Sequence, residues 1–224
     1  MSCEYLLFSY CLVFFGGHLF YQSELNSGLS QPTMHFLLIG GLASACYVCL
    51  KKSSVGLLLL AVFWMLLYYI NPYVNFISFL ILDFFLIFLS VHYNEKISPA
   101  EKQLAFDGFS CFLGCHYFIT GILKTMSAAW RNGEALFYIK SSVLGSSVAV
   151  SFPDNLLMQS SWLVIALELG GVLLVFKKLR RFVLPLLFIF HLGIGLFLNI
   201  FQLTLVYLLI LLWMFVQSSK CKPI

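Results

Sequence analysis

The 224-residue chain is 61% hydrophobic and only 10% charged, where ordinary soluble domains carry roughly 25% charged residues. That composition excludes an ordinary soluble fold and assigns the chain to the lipid bilayer, with 24 Phe suited to lipid-facing helices. The net charge of +4 comes from 13 Lys and Arg that are too scattered to form a nucleic-acid surface, so it concerns topology and not a polyanionic partner.

Apolar runs separated by charged or turn-forming clusters give eight candidate spans: 4–22, 34–50, 55–71, 77–93, 104–126, 156–176, 182–199 and 202–217. The N-terminus M-S-C-E-Y-L-L-F has no basic region and no small-residue cleavage site, so it reads as a retained first helix. No soluble domain is expected before or after the membrane part. The expected fold class is all-α, a polytopic transmembrane helical bundle forming one domain over 1–224.

Charge distribution orients the spans. With the N- and C-termini cytoplasmic, the inner loops and tail hold Lys51, Lys52, Lys96, Lys102, Lys177, Lys178, Arg180, Arg181, Lys220 and Lys222, and the outer loops hold only Arg131 and Lys140. This asymmetry fits the positive-inside rule and leaves Lys124 as the one basic residue within a span. The last two spans could be a single helix, which reduces the count to seven. A helix over 182–217 would rise about 54 Å, far beyond a hydrocarbon core of about 30 Å, so a break near Asn199–Gln202 is preferred. The final span is then short, in the range of a re-entrant segment.

The connections differ in character. Residues 23–33 read as a polar loop and Asn71-Pro72-Tyr73-Val74-Asn75 as a tight turn. The segment 127–155 mixes Trp130, Phe137, Tyr138 and Phe152 with Arg131, Glu134, Lys140 and a Gly/Ser-rich patch. It reads as an interfacial helix followed by a flexible loop, long enough to cover the outer face.

Lone charges inside a membrane are expensive and mark functional or paired groups. In the oriented topology Lys124 lies near the outer end of the fifth span and Glu168 on the order of 10 Å below the outer boundary. His191 sits midway along the seventh span and Asp83 within the fourth. Gly114, Tyr117, Gly121 and Lys124 follow i, i+3, i+7, i+10, which places the lysine on a face where small residues permit close helix packing. Glu168 precedes Gly171 by three positions, and His191, Gly195 and Asn199 form an i, i+4, i+8 stripe that Gln202 continues. A neutral lysine amine can serve as a general base. The competing reading is an ion pair of Lys124 with Glu168 or Asp83 that only orients helices.

The seven cysteines do not form a disulfide framework. Cys46-Tyr-Val-Cys49 has redox or zinc spacing but no second such pair. Cys111, Cys115 and His116 lie on one stretch of helix, where one turn supplies too few converging ligands, so packing is expected and no metal.

The stretch Y-F-I-T-G-I-L-K followed by W-R-N-G-E-A resembles the signature of the HTTM (horizontally transferred transmembrane) domain, the membrane module shared with vitamin K-dependent gamma-carboxylase. L-V-I-A-L-E-L-G-G, with Glu168, is similar to that family's acidic helix, and F-I-F-H-L-G-I-G-L-F-L-N-I-F, with His191, to its histidine helix. The resemblance covers about residues 104–217. It implies that Lys124 occupies the position of the base that deprotonates the vitamin K hydroquinone, with Glu168 and His191 in the same site. It also implies that Trp130 and Gly133 have structural or lid roles, and that the site faces the topological outside. The carboxylase carries two adjacent lysines where this chain has Leu123-Lys124.

The expected protein is therefore a multi-pass component of the cell membrane with an outer-facing polar cavity lined by Lys124, Glu168 and His191, together with Asp83 and Asn199. A quinone-like cofactor or substrate is implied by resemblance, and the partners are the lipid bilayer and a membrane peptide or protein. The alternative is a non-catalytic binding, immunity or assembly protein whose buried charges are structural.

Overall fold

The computed structural model describes residues 39–41, 43–45, 47–48, 53–70, 76–144, 154–197 and 201–220. Among these residues every regular element is helical and there is no strand. The chain divides into two compact units, Met1–Phe109 and Ser110–Ile224.

In the first unit, α1 (Ser54–Ile70) and α2 (Phe76–Tyr93) pack on each other. Leu57, Leu60, Ile81, Leu82, Phe85, Leu86 and Leu89 form their buried core. A side chain at Gly56 would meet Tyr47 at 2.8 Å and Val48 at 2.9 Å, so the helical residues before α1 lie directly on it. The start of α3 (Pro99–Met126) adds Phe106 and Phe109, and Phe109 stacks on Phe88 with ring centroids 5.3 Å apart and 13° between planes.

Helix α3 begins five residues before the apolar run 104–126. The reason is a capping box with proline at the first helical position. The Ser98 hydroxyl donates to the Glu101 carboxylate at 2.7 Å, the Ser98 N–H donates to the same oxygen at 2.9 Å, and the Glu101 N–H donates to the Ser98 hydroxyl at 3.4 Å.

The second unit takes the C-terminal part of α3, then α4 (Ala128–Arg131), α5 (Glu134–Leu144), α6 (Asp154–Gly170), α7 (Lys177–Phe197) and α8 (Phe201–Lys220). A 3-10 turn, Gly171–Val175, extends α6, and extended Phe176 (φ −87°, ψ 112°) turns the chain into α7. Arg180 closes this corner. Its Nε donates to the Leu174 carbonyl at 2.7 Å and its guanidinium reaches the Val175 carbonyl at 3.4 Å. The side chain is 4% exposed, so Arg180, counted above as an inner-loop charge, is instead the buried donor for carbonyls that the end of a helix leaves orphaned. Lys177, Lys178 and Arg181 beside it are exposed.

Helices α7 and α8 pack along each other, and His191 stacks on Tyr207 with ring centroids 4.4 Å apart. One straight helix would hold residues sixteen apart about 24 Å away from each other. The chain therefore reverses between Phe197 and Phe201, where the break was expected.

Among the described residues three helices are long and apolar enough to cross a membrane: Pro99–Met126, Asn155–Val175 and Lys177–Leu196. The apolar stretches found in α1, α2 and α8 are shorter. The expected span 4–22 and much of 34–50 lie outside the described residues, as does the turn 71–75.

Arg180→Met keeps the length of the stem and removes the donors. Leaving a buried carbonyl unpaired costs about 1–3 kcal/mol, so the midpoint of thermal unfolding in detergent should fall. An unchanged midpoint would show that the guanidinium adds nothing to the corner.

Candidate functional site

The site is built where α3 meets the end of α6. Gly114, Tyr117, Gly121 and Lys124 share one face of α3, and Gly114, Tyr117 and Gly121 are buried. A side chain at Gly121 would lie 2.9 Å from the Leu169 backbone nitrogen, and one at Gly114 would lie 3.2 Å from the Gly171 carbonyl oxygen. From the other side, a Cβ on Gly171 would collide with the Tyr117 Cβ at 2.4 Å. Three glycines thus let the two backbones come close enough for their polar side chains to meet.

Lys124 Nζ donates to Glu168 Oε1 in an ion pair. Glu168 is 7% exposed. The ammonium also lies over the Trp130 ring, 4.5 Å from its centroid, in cation–π geometry. Among the described residues Glu168 Oε2 has no hydrogen-bond partner. The nearby Thr120 hydroxyl donates to the Tyr117 carbonyl at 2.8 Å.

About two turns before Lys124 on α3, the Tyr117 hydroxyl and His191 Nε2 share a hydrogen bond of 2.6 Å. Tyr207 stacks flat on the His191 ring, with 11° between planes, and Phe190 contacts its edge. His191 Nδ1 has no partner among the described residues. Tyr117 therefore connects the α3–α6 contact to the α7–α8 pair.

The expected interfacial helix is two helices, α4 and α5, hinged at Gly133. Gly133 has φ +86°, the left-handed region that favours glycine, and a Cβ there would sit 2.7 Å from the Met158 backbone nitrogen. Both conditions demand glycine at this position. The docked hinge is held by the Ser161 hydroxyl donating to the Trp130 carbonyl. Trp130, Ile139 and Ile194 also pack around Leu136 and Leu157. Between hinge and α6 lies an open pocket of about 460 Å³ lined by Asn132, Gly133, Glu134, Phe137, Tyr138 and Leu157. The flexible loop expected after this segment falls largely on 145–153, outside the described residues.

Lys124, Glu168, Trp130, Gly133 and His191 all belong to the second unit. Asp83 belongs to the first, where it is 1% exposed with its Oδ1 unpaired among the described residues. The carboxylate that holds Lys124 is Glu168. Asn199 and the pair Cys46/Cys49 lie outside the described residues. Cys111 and Cys115 are free and exposed. Among the described residues no three His, Cys, Asp or Glu side chains converge on a metal position.

Sequence reasoning missed three contributors. Tyr117 was only a marker of the helix face, and Ser161 was given no role. Tyr207 was not considered, although α7 and α8 packed along each other set it against His191.

Gly133→Ala should undock α5 from α6, because it imposes both left-handed strain and a backbone clash. Non-glycine residues held in sparsely populated backbone regions cost about 1–3 kcal/mol. Limited proteolysis of the solubilised protein should cut within 132–144 several-fold faster, and an unchanged cutting rate would show that the hinge tolerates a side chain.

No protein-family model, curated protein or solved structure matches the chain, so the chemistry of the site has to be read from its own geometry.

Proposed function

We propose that the chain is a multi-pass HTTM-type protein of the cell membrane, with both termini cytoplasmic. In this reading Lys124 abstracts a proton from a lipid-soluble, quinol-like molecule in the outer half of the bilayer. The observation that carries the proposal is the placement of Lys124, with its ammonium on the Glu168 carboxylate and over the Trp130 ring at the C-terminal end of α3. A charged group in hydrocarbon is retained for a purpose, and general bases are built from groups whose protonation state a close neighbour controls.

The steps follow from the pair itself. Transfer of the ammonium proton to Glu168 leaves a neutral amine beside a neutral acid, which removes two charges from a weakly polar interior. The amine then takes the proton of a substrate hydroxyl, and the ammonium formed stands against the oxyanion left behind. Trp130 covers the opposite side of the amine and limits water access. The α4–α5 hinge, docked through Ser161 and Gly133, is the element whose movement would admit the substrate. The HTTM reading adds a membrane peptide or protein as partner at this outer face.

A second reading has a specific observation in its favour. Lys124 is fully engaged by Glu168 and Trp130, as a purely helix-orienting pair would be. Removing one member of a buried pair costs about 3–5 kcal/mol, so Lys124→Met alone does not separate the readings. The double variant Lys124→Met with Glu168→Gln removes both charges and restores stability in either case. In proteoliposomes, oxygen-dependent consumption of reduced menadione should fall about 100-fold or more in this variant, the range expected for loss of a general base. Wild-type protein without such consumption, or a double variant that retains it, would sink the proposal.

A further inference from the structure

Tyr117 and His191 form a second polar pair that the base chemistry does not use. Tyr117 is 2% exposed and His191 8% exposed. Their shared hydrogen bond runs between the phenol oxygen and Nε2. The two sides carry two hydrogens, one on the phenol and one on the neutral ring, and only one can lie in the shared bond.

Counting unsatisfied groups selects the arrangement. If Nε2–H donated to the phenol oxygen, the phenol hydrogen would need another acceptor and the bare Nδ1 another donor, which makes two buried orphans. If the phenol donates to Nε2, the only orphan among the described residues is the Nδ1–H. Buried polar groups are rarely left unpaired, so the arrangement with fewer orphans wins. Tyr207 and Phe190 contact the ring through their own aromatic rings, leaving the orientation of the imidazole to Tyr117. Gly171 supports this geometry by admitting the Tyr117 side chain against the end of α6.

We propose that Tyr117 is a positioning residue: its hydroxyl donates to His191 Nε2, locks His191 as the Nδ1–H tautomer, and so presents a buried N–H donor for a carbonyl oxygen of a lipid-soluble ligand. Glu168 Oε2, in the same unit, is likewise without a partner among the described residues. The tautomer follows from the Tyr117–His191 geometry alone, whereas the ligand part rests on the proposed reaction at Lys124.

The test is nitrogen NMR of full-length protein with 15N-labelled histidine in lipid nanodiscs, the His191 signals being identified by their loss in His191→Asn. In the wild type, Nδ1 should show the protonated, pyrrole-type shift and Nε2 the unprotonated, pyridine-type shift. Tyr117→Phe keeps the ring and removes the hydroxyl, and both signals should move toward the average of two exchanging tautomers. A wild-type Nε2–H tautomer, a doubly protonated ring, or an unaltered spectrum in Tyr117→Phe would each overturn the positioning role. Should Tyr117→Phe fail to fold, the wild-type spectrum alone decides.

The ligand arm adds menadione, with 2-methylnaphthalene as a control of similar shape that lacks the carbonyls. Menadione alone should shift the Nδ1 signal. No shift, or an equal shift with both, would overturn the carbonyl acceptor. A locked tautomer with no menadione response would break the link to the reaction and leave the Tyr117 role standing. Loss of menadione consumption in the Lys124→Met and Glu168→Gln double variant is a separate readout and bears on the Lys124–Glu168 pair only.

Discussion

Close approach of two backbones is the constraint on which the second unit depends. Helices in lipid gain nothing from hiding apolar surface from water, so they associate through van der Waals fit and interhelical hydrogen bonds. Gly114 and Gly121 on α3 and Gly171 after α6 remove the side chains that would hold those backbones apart. The Lys124–Glu168 ion pair follows from that approach. So does the seat of Tyr117, whose Cβ lies where a side chain on Gly171 would have to go. A bulkier residue at any of the three positions would separate the polar partners before it disturbed the apolar core.

Once the helices meet, the polar groups of the unit are handled by three local arrangements. Arg180 spends its guanidinium on the carbonyls that the 3-10 turn leaves free. Lys124 and Glu168 neutralise each other, with Trp130 over the ammonium. Tyr117 and His191 satisfy each other inside an aromatic cage. The first is a structural cap. Among the described residues the other two each leave one buried atom over, Glu168 Oε2 and His191 Nδ1, and those atoms give the site its chemical interest. The hinge at Gly133 belongs to the same design, because Trp130 joins the ion pair to the docked α4–α5 segment through Ser161.

Much of the local structure was legible in the residues. The apolar runs locate α1, α2 and α6 to within a few residues, and the glycine spacing on α3 identifies the face that packs closely. Length alone argued for a reversal near residue 199, since a helix through it would overrun any bilayer. Where the reading fell short, local chemistry had been passed over. The Ser98–Glu101 capping box carries α3 back to Pro99, before the apolar pattern begins. Arg180 looked like one more loop charge among four basic residues.

The sequence by itself determined the helical class, the membrane-compatible composition and the face of α3 on which Lys124 sits, because hydrophobic periodicity and glycine spacing are properties of one helix at a time. Tertiary structure alone decided that the carboxylate beside Lys124 is Glu168, 44 positions away, and that Tyr117 finds His191, 74 positions away. Periodicity says which way a side chain points but not which helix stands opposite or at what depth. That choice depends on how closely two backbones can approach, and it becomes fixed only when they are packed together.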